Sequence, residues 1–163
     1  MKRLFTTLLA VVLIAAAANA KDYKHSLGVV TGFQYGVSYK VKALPHLAVM
    51  ADLSYGFVVS NITATDFSAK GMLAYQGDIT QGQGIDLDWY AGGGVSFGMI
   101  QDGLGGKFGI NAVGGIEANM VNAPIAFAVD FRPGYGLGFD DGSFIGTVHY
   151  FDYAIAFSIR YTF

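Results

Sequence analysis

Apolar side chains recur at every second position along most of this chain, and that period is what most restricts its fold. From Leu47 to Val59 the odd positions read Leu47, Val49, Ala51, Leu53, Tyr55, Phe57 and Val59, while the even ones include Asp52, Ser54 and Gly56. Residues 87–99 repeat the pattern with Leu87, Trp89, Ala91, Val95, Phe97 and Met99 against Asp88, Gly92, Gly94 and Ser96. The phase then switches, so that Phe108, Ile110, Ala112 and Ile116 alternate with Gly109, Asn111, Glu117 and Asn119. A period of two places successive side chains on opposite faces of a strand, so the chain reads as all-β. No run after residue 20 has the 18 or more consecutive apolar residues of a spanning helix.

Two kinds of sheet alternate in this way. A soluble barrel turns its apolar face inward and its polar face to water; a membrane barrel does the reverse. The polar face decides, because here it consists of glycine, alanine and serine with about one charge per strand. Charged residues are 13% of the chain, against about 25–35% for a well-solvated surface. Such a face suits a crowded interior, so the aliphatic and aromatic face is expected to meet lipid. A formal net charge of −2 supplies no basic stripe for nucleic acid. The absence of cysteine excludes a disulfide framework and a thiolate zinc site.

The first twenty residues have a different character. Lys2 and Arg3 precede an apolar stretch from Leu8 to Ala18, and Ala18-Asn19-Ala20 has the small residues of a cleavage site. Residues 1–20 therefore read as a secretory signal peptide and 21–163 as the exported domain. After cleavage, eight basic and twelve acidic residues remain.

Clear strand runs cover 47–59, 68–80, 87–100, 107–120, 125–138 and 149–163, with a longer run at 26–41. A single-chain bacterial barrel normally has an even number of strands. Folding the first run near Gly32-Phe33-Gln34 gives eight, with tight turns at 42–46 and 121–124 and longer polar loops at 60–67, 101–106 and 139–148; were 26–41 a single strand, the eighth would have to lie within 139–148. Aromatics then form two bands: Phe57, Phe67, Phe97, Phe108, Tyr135 and Tyr153 near one rim, and Tyr39, Trp89, Phe127, Tyr161 and Phe163 near the other. Pro133 removes a ladder donor and predicts a bulge in the seventh strand.

The final segment, Ala156-Phe157-Ser158-Ile159-Arg160-Tyr161-Thr162-Phe163, resembles the C-terminal strand by which bacterial outer-membrane proteins are recognised for assembly. The whole of 21–163 is similar to the small eight-stranded outer-membrane barrels, of the OmpA-transmembrane-domain and OmpX type. It looks closest to the small barrel proteins of Bacteroidetes-type bacteria, on Asp88-Trp89-Tyr90-Ala91-Gly92-Gly93-Gly94 and Val129-Asp130-Phe131-Arg132-Pro133. The resemblance implies an eight-stranded antiparallel transmembrane β-barrel in the outer membrane of a Gram-negative bacterium. It implies a monomer among outer-membrane lipids and lipopolysaccharide, with Tyr161 and Phe163 as the signal read by the barrel-assembly machinery. It implies no catalytic residue and no cofactor.

The chemistry of the chain is concentrated in the charges on the polar face. Asp52, Asp78, Asp88, Glu117, Asp130 and Asp152 join Lys40, Lys70, Arg132 and Arg160, with Glu117, Asp130 and Arg160 expected at similar depth. An eight-stranded interior is only just wide enough for side chains, so these charges are expected to pair and plug it. A narrow pore lined by the same groups is the alternative, which the lumen glycines Gly92, Gly94, Gly98, Gly109 and Gly115 mildly favour. A lipid A-modifying enzyme would need a histidine with a serine and an acid at the outer rim. His149 and Asp152, three apart on a strand, point to opposite faces. Gly103-Leu104-Gly105-Gly106 lacks the lysine of a phosphate loop, and three scattered histidines make no zinc site. The expected role is a non-enzymatic envelope protein with a structural or surface-contact function.

Overall fold

In the computed structural model, residues 23–59, 63–100, 105–140 and 143–163 are described, the side chains of 57–66, 100 and 140–154 excepted. Eight strands follow one another: β1 (His25–Gly32), β2 (Gln34–Leu44), β3 (Leu47–Val59), β4 (Thr63–Gln81), β5 (Ile85–Ile100), β6 (Gly106–Met120), β7 (Ile125–Asp140) and β8 (Ser143–Thr162). Each pairs antiparallel with its sequence neighbour, and β1 pairs with β8 to close the barrel. Closure leaves no free sheet edge. The start of β1 and the end of β8 lie on one rim, the terminal rim, where Lys24 and His25 donate backbone hydrogen bonds to the Phe163 carbonyl at 3.3 and 2.9 Å.

The 26–41 run does fold into two strands. Gly32 ends β1 with φ of 135°, a conformation that L side chains rarely adopt, and Phe33 alone separates β1 from β2. The long polar loops are a correction. β4 begins at Thr63 and β8 at Ser143, so most of 60–67 and 139–148 is strand. Thr63, Thr65, Ile145, Thr147 and Val148 are β-branched and suit a pleated wall better than a loop. Pro133 does not make a bulge either. It keeps its register partner Tyr153 on β8, and the irregularity between these strands falls at Gly138/Asp140.

The alternation resolves as an inside-out distribution. Every strand turns an aliphatic side chain outward, among them Val29, Val37, Leu53, Leu73, Val95, Ile116, Val129 and Ile159 at 40–56% exposure. Inward, polar and charged side chains outnumber apolar ones, and the buried apolar cluster is limited to Met50, Met72, Ala74, Tyr90, Val113 and Ala128. Aromatic rings gather near the terminal rim. His25 stacks on Phe163 and Tyr39 at 5.7 and 6.1 Å, and the run His46, Tyr75, Trp89 is spaced at 5.5 and 5.7 Å. Towards the far rim Phe97 meets Phe108 at 5.0 Å. Phe57 and Tyr153 have side chains outside the described residues.

Of the lumen glycines, Gly92, Gly94 and Gly98 mark close approach of backbones rather than spare room. A Cβ on Gly94 would fall 1.9 Å from the Gly71 carbonyl oxygen, and one on Gly92 2.0 Å from that of Leu73. Gly94→Ala is therefore expected to destabilise the barrel by about 1–3 kcal/mol, through forced movement of the β4 backbone. Gly71→Ala adds a methyl that meets nothing within 4 Å and is expected to stay within about 0.5 kcal/mol of the parent. Urea midpoints in detergent would check the pair; equal midpoints would refute the close-approach argument.

Candidate functional site

The inward face of eight strands brings the charges together in a column, and the register explains which of them meet. Tyr90, Gly115 and Asp130 occupy one row across β5, β6 and β7. A Cβ on Gly115 would sit 2.5 Å from the Asp130 Cβ. The bare glycine lets Tyr90 reach over β6 and donate to Asp130 Oδ2 at 2.6 Å. Arg132, two residues along β7, donates from Nε and Nη2 to the same carboxylate, the latter at 3.1 Å, and from Nη1 to Asp52 on β3. Arg132 thus ties two carboxylates from separate parts of the wall.

A second group lies nearer the terminal rim. Glu117 is fully buried and accepts from Lys40 Nζ at 2.8 Å and from Arg160 Nη1 at 3.0 Å. Arg160 spends its other donors on Ser38 Oγ at 3.2 Å and Ser158 Oγ at 3.1 Å. The Tyr23 hydroxyl also donates to Glu117. Tyr23 precedes β1; burial, with the adjacent Glu117 carboxylate, pushes its phenol well above the ordinary value, so it remains a neutral donor. The two groups complement one another in charge: Lys40, Arg160 and Arg132 face Glu117, Asp130 and Asp52. Lys40 Nζ lies 4.9 Å from the Tyr90 ring centroid and joins them. Removing ions from water is repaid only when geometry and hydrogen bonds are good, and here nearly every charged atom has a partner. Asp52 Oδ1 is the exception among these ionic groups.

Polar groups extend the column in both directions. At the terminal mouth Asp88 accepts from Gln76 at 2.6 Å and Asn119 at 3.0 Å, with Lys42 Nζ 3.8 Å away. Lys42 itself lies 4.1 Å over the Tyr23 ring. Towards the far rim Lys70 donates to Gln34 at 2.7 Å, and Ser54 contacts both Gln34 and Ser68.

The structure therefore buries Asp52, Lys70, Asp88, Glu117, Asp130, Arg132 and Arg160, together with Lys40. Asp78 departs from this pattern. It is exposed beside a register shift at Asp78/Thr80 near the end of β4, where Gln81 donates to it at 3.2 Å. The β3 ladder of β4 ends at Tyr75, so Asp78 overhangs β3 and stands past the mouth, out of the column. The Asp152 side chain lies outside the described residues, as do residues 1–20 and the side chain of His149. Glu117 and Arg160 meet directly, whereas Asp130 belongs to the group of Arg132 and Tyr90. The sequence reasoning missed Tyr23, Tyr90 and Lys107, all buried. The signal for Tyr90 was present: it is the aromatic that falls on the glycine-and-aspartate face of its strand.

The histidines near the terminal rim serve the ring of aromatics. His25 Nδ1 is 2.7 Å from the Tyr39 hydroxyl, and His46 Nδ1 is 3.2 Å from the Gln76 carbonyl oxygen. Among the described residues, no group of three or more histidine, aspartate or glutamate side chains is placed to hold a metal. Fold and lumen together define a closed eight-stranded antiparallel barrel with a polar, ion-paired interior, compatible with a small outer-membrane barrel. Neither a protein-family model nor a curated protein matches the sequence.

Proposed function

We propose that the chain is an integral outer-membrane barrel of a Gram-negative bacterium, of the OmpA-transmembrane-domain and OmpX type, exported by cleavage after residue 20. The observation that carries this reading is the continuous belt of outward aliphatic side chains around all eight strands. Water-soluble monomers rarely expose contiguous apolar patches beyond a few hundred Å². Aromatic rings at both ends of the belt fit the girdles of such proteins at the lipid–water boundaries. Tyr161 and Phe163 close the last strand at the terminal rim, their rings 6.3 Å apart, as an assembly signal read from the periplasm would require.

Within the envelope the protein acts as a non-enzymatic structural element or surface contact, monomeric and with its lumen blocked by the paired charges. A narrow pore is the second reading, favoured by the unbroken run of polar groups from Asp88 to Lys70. The mature protein is expected to need detergent for solubility and to migrate faster on a gel before boiling than after it. Recovery as a folded, detergent-free soluble protein would overturn the membrane assignment.

A further inference from the structure

Among the described residues, Tyr23 alone is buried without belonging to a strand. β1 begins only at His25, yet the Tyr23 ring reaches into the terminal mouth and is 4% exposed. Its hydroxyl donates to Glu117 on β6, and Lys42 Nζ on β2 lies 4.1 Å from its ring centroid. Lys42 is in turn 3.8 Å from Asp88 on β5 and keeps 30% of its side chain exposed. Tyr23, Lys42 and Asp88 thus form a layer across the mouth, and the fully buried Lys40–Glu117–Arg160 group lies beneath it.

What holds this layer shut differs from what holds the wall. Tyr90 is just as buried, but its strand is laddered on both sides, so it cannot leave without undoing β4 or β6. Tyr23 has no ladder partner; the nearest backbone bonds belong to Lys24, which donates to the Phe163 carbonyl and accepts from Lys42 N at 2.8 Å. Rotation ahead of Lys24 would withdraw the ring, breaking one hydroxyl bond and one cation–π contact. Glu117 would keep both of its cations. Openings that break so few contacts occur locally, far below the free energy of global unfolding. We propose that Tyr23 is a lid on the terminal mouth: closed, it seals the Glu117 group from water, and open, it admits water and small solutes to that carboxylate while the barrel stays intact. The lid works in this way whatever medium surrounds the belt.

The chain has no cysteine, so Ser26→Cys gives a single thiol near this mouth, at a fully buried position. In the refolded mature chain in detergent, a charged methanethiosulfonate is expected to label it slowly. Adding Tyr23→Ala is expected to speed labelling by about ten- to a hundredfold, the ratio for one hydrogen bond to a charged group. Tyr23→Phe, which keeps the ring, is expected to speed it by less. Amide hydrogen exchange along β1 is expected to stay as slow as in the parent, since no ladder pair is lost. Lys42→Ala bares the ring, is expected to act in the same direction, and serves if Tyr23→Ala does not fold. Labelling at one rate in the parent and in these variants would overturn the lid. So would faster labelling accompanied by loss of β1 protection, which would make Tyr23 a peg that holds the strand in place.

Discussion

Glu117→Ala is expected to cost about 3–5 kcal/mol of folding stability. Glu117 is fully buried and is the carboxylate that both Lys40 and Arg160 contact. Its loss leaves two cations facing each other in a medium of low polarity, and strands the Tyr23 hydroxyl as well. Lys40→Met is expected to cost much less, because Glu117 keeps Arg160 and the methionine stem fills a similar volume. Urea denaturation in detergent, followed by the gel-mobility shift, would read both. Similar costs for the two substitutions would show that the lumen is held by packing and not by this carboxylate.

Arg132→Ser is expected to turn an electrically silent barrel into a cation-selective one. The guanidinium lies between Asp52 and Asp130 and bonds to both. Serine removes the bulk and the charge together, leaving two carboxylates along the opened space, a ring of the kind that selects cations. In planar bilayers the parent is expected to show no steps and the variant discrete ones with cation-reversed potentials. Steady conductance by the parent would reject the plug. Silence from folded Arg132→Ser would assign the block to the apolar cluster of Met50, Met72 and Tyr90 instead.

Much of this architecture was legible in the sequence because a strand buried on one face alone exposes its period directly. The phases of β3, β5 and β8 and the fold at Phe33 follow from alternation and the even-strand rule. What alternation conceals is depth and reach. Asp78 shares the parity of Met72, Ala74 and Gln76, yet it lies beyond the last β3 partner of its strand and is exposed. Val113 and Met72 are as apolar as the outer face but point inward, and only their position in the phase reveals it. The Tyr90–Asp130 bond depends on three strands sharing a row, and a linear sequence does not display rows. Thr63 and Ser143 begin strands because turn-like polarity at a rim is overridden by pairing with the neighbouring strand.

The seam between β1 and β8 also constrains how the molecule comes into being. Residue pairs such as Ser26 with Thr162 and Leu27 with Tyr161 join positions at opposite extremes of the chain. Contacts of such long sequence separation carry a large loop-closure entropy and fold slowly. Glu117 on β6 likewise gains its two cations only from β2 and β8. Until β8 docks, a partly built sheet would hold Glu117 without Arg160 and present two open edges, neither of which hydrocarbon would tolerate if the barrel is built in a membrane as proposed. Ring closure and charge neutralisation are therefore one kinetic event, and the chain crosses its main folding barrier with nearly all of its length already engaged.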